Sequence, residues 1–134
     1  MRKLFEKLKE KHFLGLKTKL YISKVKRPKA GIKAIAGYYS PYRDTIHMKS
    51  WVKYCDKKQI KALLLHEMTH ATFGSSSSYF HGKRFASRLL SIYRKEFPTS
   101  YKSILRSQFW TISPSKVENG LVVVKTYWPK KVIR

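Results

Sequence analysis

Acidic side chains are what this chain has least of: seven Asp and Glu stand against thirty Lys and Arg in 134 residues, for a formal charge of +23. Cysteine is nearly absent too. Cys55 stands alone, which excludes an internal disulfide and any cysteine-built zinc ribbon, and suits a reducing, intracellular setting. No run of eighteen apolar residues occurs, so no transmembrane helix is expected. The charged start, Met1-Arg2-Lys3-Leu4-Phe5-Glu6-Lys7, leads into no apolar stretch of the kind a secretory signal needs. Internal repeats and long linkers are also missing. With 43 % hydrophobic and 14 % aromatic residues, the chain reads as one domain over 1–134, large enough for a single core.

An excess of +23 is self-repulsive and needs a reason. A solubilising surface built from ion-pair networks would bring glutamate along with lysine, and only five glutamates are present: Glu6, Glu10, Glu67, Glu96 and Glu118. A polyanionic partner is the better explanation, nucleic acid before an acidic membrane surface. The densest basic run is Lys17, Lys19, Lys24, Lys26, Arg27 and Lys29, which either tracks phosphates or forms the solvated face of a strand and its turn.

Patterning predicts a short amphipathic helix over Lys3–His12, on Leu4, Phe5 and Leu8. Alternation over Leu16–Val25 predicts a strand with a basic outer face, and Ile32–Tyr39 and Thr45–Met48 two more, separated by a turn at Ser40–Asp44. The best-signposted element follows. Asp56 caps it with Gln59 in capping-box position, Ile60, Leu63, Leu64, Glu67 and Ala71 recur at helical spacing, and Gly74 ends it. Lys57 and Lys58 stand unfavourably in its positive first turn. After a four-serine loop, Gly82–Phe97 reads as a helix burying Phe85, Leu89, Ile92 and Tyr93, with Pro98 as its stop. A shorter helix over Ser100–Ser107 and a strand-like run at Leu121–Val124 complete an α+β order.

Within the signposted helix lies His66-Glu67-Met68-Thr69-His70, a match to H-E-x-x-H. Four residues make slightly more than one turn, so both imidazoles leave one face and can grip one zinc at about 2.0–2.1 Å. Glu67 then sits beside the metal as general base towards the water it activates. A catalytic zinc needs a third protein ligand, and His81, followed by Gly82 after the serine loop, supplies it. By chance alone the motif arises in roughly 0.7 % of shuffled chains of this composition, before the requirement that it fall inside a capped helix. A metzincin would need Gly and His where Phe73 and Ser76 stand; a gluzincin would need a downstream acid, for which Glu96 is the only nearby candidate.

His66-Glu67-x-x-His70, ten residues, then His81-Gly82-x-x-Phe85 resembles the SprT-like family of zinc metalloproteases. Ala36-Gly37-Tyr38-Tyr39 and Thr45-Ile46-His47-Met48 look like that family's hairpin before its active-site helix, and the similarity covers about residues 32–97. The resemblance implies a zincin-like α+β fold, with a small antiparallel sheet packed on the active-site helix and further helices after it. It also implies Zn2+ on His66, His70 and His81, Glu67 as catalytic acid/base, and protein substrates crosslinked to DNA. Two other functions remain open: a basic nucleic-acid-binding protein with a structural or vestigial zinc, and a zinc hydrolase of another bond. Oligomeric state is not legible.

Several aromatic groups have two readings. Tyr38, Tyr39, Tyr42, Trp51 and Tyr54 are either a stacking platform for single-stranded bases or the core between hairpin and helix. His47 either approaches the metal or is a hairpin residue satisfied locally. Tyr79 and the serine loop either line the cleft or form a flexible connector. Phe109, Trp110 and Trp128 read as packing residues.

Overall fold

The computed structural model describes residues 1–26, 36–74, 83–102 and 104, and the two strands 113–118 and 121–125. Its elements run α1 (Arg2–His12), β1 (Lys19–Ser23), β2 (Gly37–Ser40), β3 (Thr45–Lys49), a 3-10 turn (Ser50–Tyr54), α2 (Lys57–Thr72), α3 (Lys83–Glu96), β4 (Ser113–Glu118) and β5 (Leu121–Lys125). The α+β order expected from the pattern is the order found.

α2 is the centre of the molecule. Ala62 to Ala71 are buried without a break, as a helix must be when it is covered on every side. Asp56 accepts from the Lys58 amide at its start, and Gly74, at φ +61, closes its end in a conformation that a side chain would strain. α3 lays Phe85, Leu89, Ile92 and Tyr93 against it, and the Tyr93 hydroxyl donates to the Ala62 carbonyl at 2.7 Å. α1 contributes Phe5 and Leu8 to the same core.

The sheet has the order β1-β3-β2 and is mixed. β2 and β3 form the expected antiparallel hairpin, but β1 runs parallel to β3, so the sheet is not antiparallel throughout. The hairpin occupies one edge of β3 and leaves only the other to β1, a pairing between segments too distant in sequence for local pattern to orient. Leu20, Tyr39, Ile46 and Met48 fill the inner face; Tyr21, Tyr38 and His47 alternate to the outer one. Gly37 is required by close approach, since a Cβ there would collide with Met48 Sδ and lie 2.8 Å from the His47 carbonyl oxygen.

β4 pairs antiparallel with β5 in a separate two-stranded sheet. The Leu121–Val124 run is therefore a strand as patterned, while its partner Ser113–Glu118 and the 3-10 turn carried no pattern that announced them. The helix expected over Ser100–Ser107 is seen only at its start, where the Ile104 amide donates to the Ser100 carbonyl at 2.9 Å. No helix among the described residues is long and apolar enough to cross a membrane.

Candidate active site

His66, Glu67 and His70 sit in the middle of the buried stretch of α2. The two imidazole rings meet edge to face with centroids 4.9 Å apart. Two imidazoles sharing a tetrahedral zinc, at about 2.0–2.1 Å from the metal plus the ring radius, would have centres about 5 Å apart. The spacing of the pair is that of two imidazoles sharing one zinc ion. Phe85 of α3 braces both rings, at 5.2 Å from His66 and 4.4 Å from His70, so the spacing is fixed by packing as well as by the helix. Thr69, between them, turns its hydroxyl back to the Leu65 carbonyl at 2.7 Å and leaves no buried group needing a partner of its own.

Glu67 is nearly buried. Burial pushes its carboxyl up from the ordinary value to about 8, while the backbone amide of Tyr39 donates to it and pulls the other way. That amide is available because β2 is an outer strand: alternate N–H groups of β2 point away from β3, and the Tyr39 amide is one of them. The Tyr39 side chain anchors the strand. Its hydroxyl donates to Asp44 Oδ1 at 2.9 Å, and Thr18 donates to the same oxygen at 2.6 Å. Burial, and then the bond to Asp44 and its charge, hold the Tyr39 phenol protonated up to about 12. Sequence pattern could not have found this contact, since any residue supplies an amide.

His81, Tyr79 and the serine loop lie outside the described residues, and so do Phe109, Trp110 and Trp128. Among the described residues no group of three or more His, Cys, Asp or Glu side chains forms a metal-binding cluster. Glu96, weighed as an acid ligand, is engaged elsewhere. Its carboxylate takes Lys11 at 2.7 Å, His12 at 2.8 Å and Lys61 at 3.0 Å, joining α1, α2 and α3. Burial by itself would raise this carboxyl, but hydrogen bonds from Lys11, His12 and Lys61, with the charge of Lys61, hold it down at about 2.

The aromatic group divides. Tyr39 and Trp51 are core; Tyr38, Tyr42 and Tyr54 are exposed. His47 faces outward from β3, stacked on Tyr38, on the side of the sheet opposite the inner-face residues Ile46 and Met48. Lys17, Lys19, Lys24 and Lys26 are exposed to solvent.

Comparison with known proteins bears on the family and on the fold. The profile of the SprT-like family matches residues 1–103, most of the chain. The chain belongs to the SprT-like family. Its fold is also similar to that in the crystal structure of the metallopeptidase zymogen of Pyrococcus abyssi abylysin, with a TM-score of 0.56 at 20 % identity, over 78 % of this chain and 87 % of that one. None of the curated proteins matches it in sequence. Membership of the SprT-like family makes the chain a metallopeptidase, a hydrolase that works with a metal cofactor.

Proposed function

We propose that this SprT-like protein is a zinc-dependent endopeptidase acting on proteins associated with DNA, including proteins crosslinked to it. His66 and His70 would hold the zinc from α2, and His81, beyond the serine loop in sequence, would complete the set. Zinc, when bound, polarises the scissile carbonyl and makes water a better nucleophile near neutral pH. Glu67 takes a proton from the attacking water and delivers it to the leaving amine. The Tyr39 amide orients that carboxylate, and the apolar packing around α2 keeps bulk water from competing for it.

The observation that carries this reading is the convergence on α2 of a braced imidazole pair at metal-sharing distance and a buried carboxylate held by an adjacent strand. The charge of +23 supports the DNA part, because phosphate contacts supply most non-specific affinity.

Metal analysis with a cleavage assay tests it. About one zinc per chain, lost in His81→Ala, is expected, together with chelator-sensitive cleavage of casein that DNA stimulates. A Glu67→Gln protein that keeps zinc and DNA binding and retains every activity would favour a binding protein with a vestigial metal. Cleavage of peptidoglycan or nucleic acid in place of casein would favour a hydrolase of another bond.

A further inference from the structure

The outer face of the three-stranded sheet carries a row of rings that the peptidase reading does not use. The register places Tyr21 of β1, His47 of β3 and Tyr38 of β2 directly opposite one another across the sheet. Tyr38 and His47 lie parallel, 8° apart in plane and 4.7 Å between centroids, and Tyr21 meets the same imidazole edge-on at 5.5 Å. Cross-strand aromatic pairs on a solvated face usually cover one another, yet Tyr21 remains 54 % exposed and Tyr38 45 %. Tyr38 uses one face of its ring on His47, and β2 is the outer strand of the three among the described residues. On the same face, Lys19 stands two residues before Tyr21, Lys49 two after His47, and Arg43 lies just before the start of β3. Burial first, then the charges of Arg43 and Lys49, lower the His47 pKa.

We infer that this row is a binding platform for single-stranded nucleic acid, with bases stacking on Tyr38 and Tyr21 and phosphates paired by Lys19, Arg43 and Lys49. Exposed ring faces between cations match a chain that alternates flat, weakly polar bases with anionic phosphates. A duplex fits less well, since its base faces are already stacked on each other and only its phosphates could be met. An acidic peptide would satisfy the cations and leave the rings without a partner.

The placement deepens the proposed function, and in that respect rests on it. Tyr38 and Tyr39 are neighbours on β2, one turned to the platform and the other giving its amide to Glu67. A strand crossing from β1 to β2 would leave the platform at the edge where Glu67 acts. A protein attached to single-stranded DNA would thereby be delivered to the cleft by the nucleic acid, whatever its own sequence.

The test is a titration of the full chain against a labelled oligo-dT of about 15 nucleotides, within the usual span of such sites, and against a duplex of the same length. Tyr21→Ala with Tyr38→Ala should weaken oligo-dT binding by about tenfold or more, as expected from about 1–3 kcal/mol per stacked base, and change duplex binding by less than about twofold. Tyr21→Phe with Tyr38→Phe should keep wild-type affinity, because the rings remain. Tyr42→Ala should also be neutral, since that ring is 95 % exposed but outside the row. The inference is overturned if the double alanine protein binds oligo-dT as the wild type does, if both ligands weaken equally, or if the phenylalanine protein loses as much as the alanine one. No proteolysis is needed for this readout. Failure to cleave casein would end the peptidase reading and leave the binding result standing.

Discussion

Two buried glutamates, Glu67 and Glu96, show how differently one chain can treat the same side chain. Glu67 is buried in α2 and accepts the Tyr39 amide, and its pKa is pushed up to about 8. Glu96, with its side chain 5 % exposed, is met by Lys11, His12 and Lys61, and its pKa falls to about 2. Burial acts on both in the same direction; the number of cations within reach decides the outcome. Glu96 is thereby a structural carboxylate, tying α1, α2 and α3 together.

Breaking the first region should have the largest effect. Glu67→Gln is expected to slow peptide hydrolysis roughly a thousandfold while zinc content and melting temperature stay at wild-type values; comparable loss of zinc would show that the carboxylate holds the site and not the proton. Next comes Phe85→Ala, which removes the brace from His66 and His70 and should cost about 3–4 kcal/mol in chemical denaturation, with weaker zinc retention.

The second region is sharpened by pH. Because the folded-state pKa of Glu96 is depressed, its stabilisation is complete above about 4.5 and is lost as pH falls towards about 2. Glu96→Gln should therefore lower stability by about 2 kcal/mol at pH 7, below the full linkage value because Lys11 is half in solvent, and the gap to wild type should close over that acid range. A constant gap down to pH 2 would mean that the three cations contribute by packing and not by charge. The smallest effect is expected from Tyr93→Phe, about 1 kcal/mol for the bond to the Ala62 carbonyl, with activity kept.

Much of this was legible in the sequence wherever the signal was local. Asp56 and Gly74 bracket α2 because capping and left-handed closure involve residues a few places apart, and His66 and His70 share a face because the helix repeats every 3.6 residues. Phe85, Leu89, Ile92 and Tyr93 followed from the same period on α3. Signals that depend on distant pairing were not legible. The parallel docking of β1 on β3, the Glu96 clasp with residues of α1 and α2, and the line of Tyr21, His47 and Tyr38 each require the fold first. Strand β4, short and carrying Pro114 and Lys116, has a composition that argues against a strand until β5 is beside it. Aromatic residues treated as one group over 38–54 in fact separate by strand parity, Tyr39 inward and Tyr38 outward.

That parity has a consequence for how the hairpin can vary. Moving β2 by one place against β3 would send Tyr38 into the core and Tyr39 out to solvent, and would swap the amide at Glu67 for one that faces β3. Length changes in the bend 41–44 are therefore compatible with both faces only when the ladder keeps its phase, so the chemistry on one side of the sheet and the ring row on the other must be inherited together.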